Sequence, residues 1–128
     1  MIKKIYIAGK VTGLPFKEVA VKFCTTATQI KELGLEFVNP VELVQNNLFG
    51  DAEIRQSSER EIWVFAMKKC INAILECDGV ILHDDWMRSK GAKLEVEICD
   101  QLGIPTFNNL NDLQEWNNSQ RTEPKAKK

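Results

Sequence analysis

The amino-acid sequence predicts an α/β protein in which a parallel sheet of about four to five strands carries helices on both faces. Short apolar runs, rich in β-branched residues, alternate along the chain with longer segments in which apolar residues recur every three or four positions. Glycine or proline stands at several of the boundaries between these segments. Alternating strands and helices favour parallel pairing, because a parallel connection needs a long crossover that is usually a helix.

The length and charge of the chain predict one domain followed by a tail. The chain has 128 residues, enough for one hydrophobic core and too few for two. It is 44% hydrophobic and 27% charged, with a net charge of −1. Residues 119–128 hold four basic groups and one acid, so they carry +3 and residues 1–118 carry −4. We expect a domain over residues 1–118, a disordered basic tail over residues 119–128, and no stable nucleic-acid binding.

The cysteines and the N-terminal sequence bear on cofactors and location. Four cysteines are scattered without a C-x-x-C pair, and the chain has a single histidine. This set favours neither a zinc site nor a disulfide framework, so we expect no metal and no cofactor. The apolar neighbours of each cysteine predict buried thiols in a reducing cytoplasm. We also expect no signal peptide and no membrane span. The cysteines are Cys24, Cys70, Cys77 and Cys99.

The first part of the chain predicts a strand, a glycine-containing turn and a helix. Residues 2–8 form an apolar run typical of a central parallel strand, and Gly9 and Gly13 follow it. Glycines at this place let the backbone approach a ligand, and the next helix N-terminus favours an anion, although many such turns bind nothing. Residues 16–33 have helical apolar spacing, and Gly34 predicts their end.

A second strand and a polar segment follow. Residues 35–38 predict a short strand, and residues 40–44 a short helix with Pro40 at its first position. Residues 45–57 are polar and irregular, which predicts a long loop. A loop of this length in a small domain is often a lid over a site, and the alternative is a surface excursion or a subunit contact.

The second half of the chain repeats the alternation. Residues 58–76 predict the longest helix, with Ser58 and Glu61 as a capping box and Cys70 near the centre of the apolar arc. Residues 78–83 predict a strand buried on both faces, and residues 84–88 the loop at its carboxyl end. A helix over residues 89–102 ends at Gly103, and a strand over 104–107 and a helix over 110–116 follow.

One carboxylate stands on the apolar side of the helix over residues 89–102. On a helical wheel the polar residues share one arc, whereas Glu95 falls in the middle of the apolar arc. An unpaired buried charge is unfavourable, so this carboxylate is paired, shifted in pKa or used in chemistry. The alternative is a structural glutamate that accepts hydrogen bonds.

The predicted topology brings several polar segments together. Strands that alternate with helices in this way predict a Rossmann-like sheet, and ligands of such sheets bind at the carboxyl ends of the strands. Residues 9–13, Asn39, the loop over residues 84–89 and Glu95 would therefore lie near one another. This convergence predicts a site.

Five sequence segments resemble the nucleoside 2-deoxyribosyltransferase-like superfamily. They are KIYIAGKVTG, FVNP, MKKCINAILECDGVIL, W-x-x-SKGAKLE and LGIP, in that order, and the resemblance covers about residues 3–107. More closely, the chain resembles a small bacterial and phage domain family within it, similar to the 2-deoxynucleoside 5-phosphate N-hydrolases. The resemblance implies cleavage of the bond between base and sugar, either as a hydrolase or as a transferase.

The resemblance also assigns roles to residues. Glu95 matches the nucleophile, which would form a covalent glycosyl-enzyme, and Tyr6 matches a tyrosine close to it. Ser89 and Gly91 match residues near the 5-phosphate. The turn residues Gly9, Lys10, Val11, Thr12 and Gly13, together with Asn39 and Trp86, are the remaining expected substrate contacts. The substrate would be a nucleoside or nucleotide. Relatives form dimers or larger assemblies, for which Leu48, Phe49 and Trp63 are candidate contacts.

One position departs from the relatives. They carry an aspartate, implicated in protonating or orienting the base, where this chain has Cys70. Asp84, Asp85 or His83 is a candidate replacement for the missing acid. The alternative is that Asp84 and Asp85 belong to a solvated turn and that His83 is a structural residue at the strand end. Loss of such an acid commonly lowers the rate by about 10²–10⁴. A nucleotide-binding module with little or no activity is therefore the alternative function.

Overall fold

The computed structural model describes residues 2–49 and 58–121, which form a four-stranded parallel sheet flanked by helices. The strands are β1 (Lys4–Ala8), β2 (Glu36–Val38), β3 (Gly79–Leu82) and β4 (Thr106–Phe107). The helices are α1 (Phe16–Glu32), α2 (Pro40–Phe49), α3 (Glu59–Leu75), α4 (Lys90–Leu102) and α5 (Leu110–Arg121), with a 3-10 helix at Trp86–Arg88. The predicted α/β, Rossmann-like domain is confirmed.

The order of the strands places β1 at the point where the chain reverses direction across the sheet. The order is β2-β1-β3-β4, and every pair is parallel. From β1 the chain moves outward to β2 and then crosses back to β3 on the other side. In register, Tyr6 stands opposite Val38 of β2 and Val80 of β3. A crevice at the carboxyl end of β1 is therefore expected, since the strand order changes direction there.

The two faces of the sheet carry two separate hydrophobic clusters. In β1, Ile5 and Ile7 pack on one side and Tyr6 and Ala8 on the other, because successive side chains of a strand alternate. The first cluster joins the sheet to α1 and α5, and the second joins it to α3 and α4. Helix residues in the first cluster are Val19, Phe23, Ala27, Ile30 and Leu113, and those in the second are Cys70, Ile74 and Cys99.

Local signals set several helix ends as the sequence predicts. The Ser58 side chain accepts from the Glu61 backbone N–H, and the Glu61 side chain accepts from the Ser58 N–H, which confirms the capping box. Gly103 follows α4 in the left-handed conformation, with φ of 73°. Ser89 caps the start of α4 by accepting from the Ala92 N–H.

The predicted C-terminal ends of two helices are wrong. Helix α2 runs to Phe49 rather than ending at Val44, so the first part of the predicted loop is helical, and residues 50–57 lie outside the described part of the chain. Helix α5 runs to Arg121 rather than ending at Trp116. It continues because Asn117 is buried and its side-chain amide donates to the Leu33 carbonyl at 3.4 Å. The rest of the predicted tail, residues 122–128, is also outside the described part.

The cysteines differ in their surroundings. Cys70, Cys77 and Cys99 are buried free thiols, as predicted, whereas Cys24 is exposed on α1 and that prediction is wrong. Cys24 follows Phe23, whose ring occupies the buried face of the helix, and one helical step turns the next side chain outward.

None of the described helices has both the length and the apolar character needed to cross a membrane. Within residues 2–49 and 58–121, no cluster of three or more His, Cys, Asp or Glu could hold a metal ion.

Candidate active site

A cavity of about 210 Å³ opens at the carboxyl end of β1. Its walls come from β1, the turn after it, α1, α2, α3 and the N-terminus of α4. Seven of the predicted site residues line it, and they come from two segments far apart in sequence, residues 6–12 and 89–95. They are Tyr6, Gly9, Val11, Thr12, Ser89, Gly91 and Glu95.

Glu95 and Tyr6 form the polar centre of the cavity. Glu95 is 5% exposed, so the inward position predicted from the helical wheel is confirmed. The Tyr6 hydroxyl donates a hydrogen bond to Oε2 of Glu95 at 2.8 Å. Tyr6 itself is fully buried, at the middle of β1. A rigid central strand thus fixes the direction from which the carboxylate is held.

Burial controls the ionisation of this pair. Desolvation raises the pKa of Glu95 to about 7, and the hydrogen bond from Tyr6 opposes that rise because it stabilises the charged form. The pKa of Tyr6 lies well above its usual value because of burial and, next, the nearby charge of Glu95. Tyr6 therefore stays protonated, and Glu95 is poised to exchange a proton or act as a nucleophile near neutral pH.

The Cys70 thiol lies beside this pair and on the cavity wall. Cys70 is buried, as the helical pattern of α3 predicts, and its sulfur interacts with the Tyr6 hydroxyl. Burial raises the pKa of the Cys70 thiol to about 12, and the charge of Glu95 adds to the rise. The thiol is therefore neutral and unreactive at ordinary pH.

Asp84 and Asp85 lie away from the cavity and pair with Lys22 of α1. The Lys22 ammonium is 3.1 Å from Oδ1 of Asp84 and 3.3 Å from Oδ2 of Asp85. Asp85 is buried, and its Oδ1 accepts from the Lys10 backbone N–H at 3.0 Å. Burial opposes the ionisation of Asp85, but the bonds from Lys10 and Lys22 outweigh it and lower its pKa. Neither aspartate lines the cavity, contrary to the prediction, because both point to the α1 side of the turn.

His83 lies on the α1 face of the sheet. Its Nε2 is 2.8 Å from the Thr26 hydroxyl, and its ring meets the Phe23 ring edge-on at 4.5 Å between centroids. The Thr26 hydroxyl donates to the Lys22 carbonyl, so Nε2 of His83 donates to Thr26. Burial, followed by the charge of Lys22, lowers the pKa of His83 to about 4. A neutral imidazole on that face is not available as an acid in the cavity.

The close packing of His83 explains why the turn begins with glycine. A Cβ on Gly9 would lie 2.5 Å from Nδ1 of His83, which no side chain could tolerate without movement. Gly9 therefore allows the turn to approach the sheet closely while its backbone lines the cavity. Gly13, with φ of 87°, ends the same turn.

Four other expected substrate contacts also lie off the cavity wall. The Lys10 ammonium is 3.3 Å from the Arg88 carbonyl and joins the two loops beside the opening. Gly13 belongs to the turn but not to the lining. Asn39 is buried and caps α2, its Oδ1 accepting from the Val41 N–H at 3.0 Å. Trp86 packs against the second hydrophobic cluster.

The apolar wall of the cavity is not among the predicted site residues. It comes from α1, α2 and α3, whose apolar residues predict core packing or, for Trp63, a subunit contact. The signal available in the sequence was the position of Phe16, an aromatic residue soon after the glycine turn; in the structure it is 54% exposed at the start of α1. The wall consists of Phe16, Pro40, Val41, Val44, Trp63, Ala66 and Met67, with Gln45 as a polar neighbour.

Trp63 and Met67 also hold the N-terminus of α4 in place. A Cβ on Gly91 would lie 3.0 Å from the Met67 sulfur and 4.0 Å from Nε1 of Trp63. The Lys90 ammonium lies over the Trp63 ring, 4.7 Å from its centroid. The α3 part of the wall therefore packs closely against the first turn of α4, where Gly91 lies.

Comparison with known proteins gives one match. A family model described as "Domain of unknown function (DUF4406)" matches residues 3–108, which is most of the chain. No curated protein and no solved structure matches the chain.

Proposed function

The chain belongs to the DUF4406 domain family, and from the geometry of its site we propose that it cleaves the N-glycosidic bond of a nucleoside or nucleoside 5-monophosphate. Glu95 is the proposed nucleophile, and a covalent glycosyl-enzyme is the proposed intermediate. Water as the second acceptor gives a hydrolase, and a free base gives a transferase.

One observation carries this proposal. Glu95 is buried at the end of a mainly apolar cavity, held at 2.8 Å by the Tyr6 hydroxyl rather than neutralised by a cation. A carboxylate kept in that position at an energetic disadvantage needs a use, and attack on an electron-poor carbon is one that fits its surroundings. The low polarity of the cavity also strengthens the attraction between the Glu95 carboxylate and a positively charged, oxocarbenium-like transition state.

In the proposed reaction, Tyr6 orients the nucleophile and other residues of the lining hold the sugar and the base. The Tyr6 hydroxyl orients one carboxylate oxygen, which leaves the second oxygen of Glu95 for the anomeric carbon. The backbone at Gly9 and the side chains of Thr12 and Ser89 are within the lining and suit the hydroxyl groups of a sugar. The apolar wall with Phe16 and Trp63 suits a flat heterocyclic base.

The resemblance to the nucleoside 2-deoxyribosyltransferase-like superfamily supports the proposal independently of the cavity. It assigns substrate contacts to Gly9, Val11, Thr12, Ser89 and Gly91, and these residues line the same cavity as Tyr6 and Glu95. Five of the nine expected contacts thus meet at the proposed nucleophile, and the other four, Lys10, Gly13, Asn39 and Trp86, lie off the cavity wall.

A second candidate function is a nucleotide-binding module without efficient chemistry. Cys70 favours it, since its thiol is a very weak acid and stands where the relatives carry an aspartate. We prefer the enzyme, because a binding module gains little from a buried carboxylate whose pKa has risen to about 7.

We also propose that the protein is cytoplasmic and forms a homodimer or larger assembly. Three buried free thiols suit a reducing compartment. Of the expected subunit contacts, Trp63 is half-buried on the cavity wall, and the side chains of Leu48 and Phe49 lie outside the described part of the chain. Light scattering of the full chain tests the assembly, and a monomer would contradict it.

The test is release of free base, measured by liquid chromatography. The protein is incubated with a panel of nucleosides and 5-monophosphates, with and without a second free base. Glu95→Gln is the inactive variant, and Glu97→Gln is its control, because Glu97 is exposed on the same helix and bonds only to Gln101 among the described residues. Base release by wild type and Glu97→Gln, but not by Glu95→Gln, is expected. Tight nucleotide binding without any release would favour the binding module.

A further inference from the structure

The groups around Glu95 are poorly suited to protonating a leaving base. Tyr6 has one hydroxyl hydrogen, and it is donated to Glu95. The Cys70 and Cys99 thiols are the other titratable groups near the carboxylate, and burial raises their pKa values to about 12 and about 11; of the two, Cys70 lines the cavity. Thr12, Gln45 and Ser89 can donate hydrogen bonds within the lining but are not acids in the working range.

The acidic and imidazole groups near this edge of the sheet face elsewhere. Asp84 and Asp85 are paired with Lys22, and the Nε2 proton of His83 is donated to Thr26. Among the described residues that line the cavity, Glu95 is the one carboxylic acid. Retaining glycosidases ordinarily use two carboxyl groups, one as nucleophile and one as acid.

The described side chains that line the cavity can carry a negative charge but no positive one. Its described lining contains the Glu95 carboxyl and no lysine, arginine or histidine. Two lysines that adjoin lining residues in the sequence have other partners, with the Lys10 ammonium at the Arg88 carbonyl and the Lys90 ammonium over the Trp63 ring. A cation bound in this apolar space would stabilise the ionised form of Glu95, whereas an anionic group would oppose it.

From these contacts we propose that the site selects N-glycosides whose heterocycle is already positively charged, such as pyridinium or N7-alkylated purine nucleosides. This proposal rests on the proposed function and names its substrate class. A cationic base leaves without needing a proton, so the missing acid is no handicap for it.

The bond changes balance without a proton donor. A Glu95 oxygen forms a bond to C1′ of the sugar as the C1′–N bond breaks, and the electron pair of that bond neutralises the charge of the ring. The base departs as a neutral molecule. Water then attacks C1′, the bond from C1′ to Glu95 breaks, and the proton lost by the water passes to solvent. With a neutral nucleoside, the departing nitrogen would be left as an anion that needs a proton.

Matched substrate pairs test this selectivity. 7-Methylguanosine and guanosine differ by one methyl group and a positive charge, as do their 2′-deoxy forms. Nicotinamide riboside and uridine give a second pair with a smaller, six-membered base. The rate of base release by the full chain is measured for each substrate and divided by the spontaneous rate. The same measurements are made with Glu95→Gln.

The expected result is an acceleration at least about 100-fold greater for the cationic member of one or both pairs, abolished in Glu95→Gln. Equal, Glu95-dependent acceleration of cationic and neutral members would overturn the selectivity and leave glycosidic cleavage standing. No acceleration of any substrate would overturn both proposals.

A change at Cys70 tests the reason for the selectivity. Cys70→Asp introduces a carboxyl beside Tyr6, and Cys70→Asn introduces a group of similar shape that cannot protonate a base. The quantity compared is the acceleration of base release for the cationic substrate divided by that for the neutral one. We expect Cys70→Asp to lower this ratio at least about tenfold and Cys70→Asn to leave it high. Circular dichroism and thermal melting show whether each variant is folded. An unchanged ratio in folded Cys70→Asp would contradict the proposed cause.

Discussion

The Tyr6 hydroxyl donates to Oε2 of Glu95 at 2.8 Å, although the two residues are 89 positions apart in the chain. Tyr6 is fixed in the central strand, and Glu95 projects from α4 across the second cluster. The bond favours the ionised carboxylate, while the surrounding apolar side chains disfavour it.

Replacement of Glu95 by glutamine is expected to stabilise the protein at high pH. The folded-state pKa of Glu95, about 7, lies above its ordinary value of 4.5. Between these pH values the carboxyl ionises in the unfolded chain but stays largely protonated in the folded protein, so stability falls as pH rises. At pH 8 the Glu95→Gln variant should exceed wild type by on the order of 2–3 kcal/mol. At pH 4, where both states are protonated, that advantage should vanish. Urea unfolding at the two pH values measures it, and an advantage independent of pH would contradict the raised pKa.

Removal of the Tyr6 hydroxyl should move the pH dependence of activity upward. Phenylalanine cannot donate to Glu95, so the Tyr6→Phe variant loses a bond that lowers the pKa of the carboxyl. Because the nucleophile must be ionised, activity falls as pH drops through that pKa. The acid limb of the kcat/KM profile should shift up by about one pH unit. A limb that stays in place or moves to lower pH would show that the hydroxyl does not control Glu95.

Asp85 should stabilise the fold more than its neighbour Asp84. Asp85 is buried and holds both the Lys10 N–H and Lys22, whereas the Asp84 side chain is 91% exposed. We expect Asp85→Asn to lower the free energy of unfolding at pH 7 by about 1–2 kcal/mol and Asp84→Asn to change it little.

The pH dependence distinguishes this contribution from a general packing effect. The pKa of Asp85 is lowered, so its stabilisation is present above its unfolded-state pKa and is lost as pH falls through the folded-state value. The difference between wild type and Asp85→Asn should therefore shrink below pH 4, as measured by denaturant unfolding. Equal destabilisation by both asparagine variants would argue against the buried contact.

A methyl group at Gly9 should destabilise the turn through His83. Its Cβ would lie 2.5 Å from Nδ1 of the buried imidazole, so Gly9→Ala should lower stability by about 1–3 kcal/mol. The clash is with one side chain whose own Cβ is also close, at 2.8 Å, so the double variant Gly9→Ala/His83→Gly should recover part of that loss relative to His83→Gly alone. A double-mutant cycle from thermal or urea unfolding gives the coupling. Additive effects would mean that the ring does not limit the turn.

The sequence predicted the sheet and the inward carboxylate because both depend on local periodicity. The inward position of Glu95 follows from helical spacing alone, and the strand from Ile5 to Ala8 follows from its apolar and β-branched composition. The partner of Glu95 depends on the parallel register of β1 and β3 and on the docking of α4. No single-segment pattern contains that information, and the resemblance supplied Tyr6 instead.

The assignment of Asp84 and Asp85 to the cavity failed for a different reason. The carboxyl ends of parallel strands share one edge of the sheet, but that rule does not specify a face. Alternation in β3 places Ile81 in the cluster against α1, and His83, two residues later, faces the same helix. Asp85 then meets Lys22 of α1. Continuing the alternation past the end of the strand would have placed His83 correctly.

The most direct test of Glu95 as nucleophile is detection of its covalent sugar adduct. A 2-fluoro-2-deoxyribosyl nucleoside is a suitable trap, because the fluorine destabilises the oxocarbenium-like transition states and slows release from the enzyme. After rapid acid quenching, peptide mass spectrometry should locate one sugar on Glu95 in the wild type and none in Glu95→Gln. Base release by the wild type with Glu95 unmodified, or with the sugar on another residue, would contradict the account.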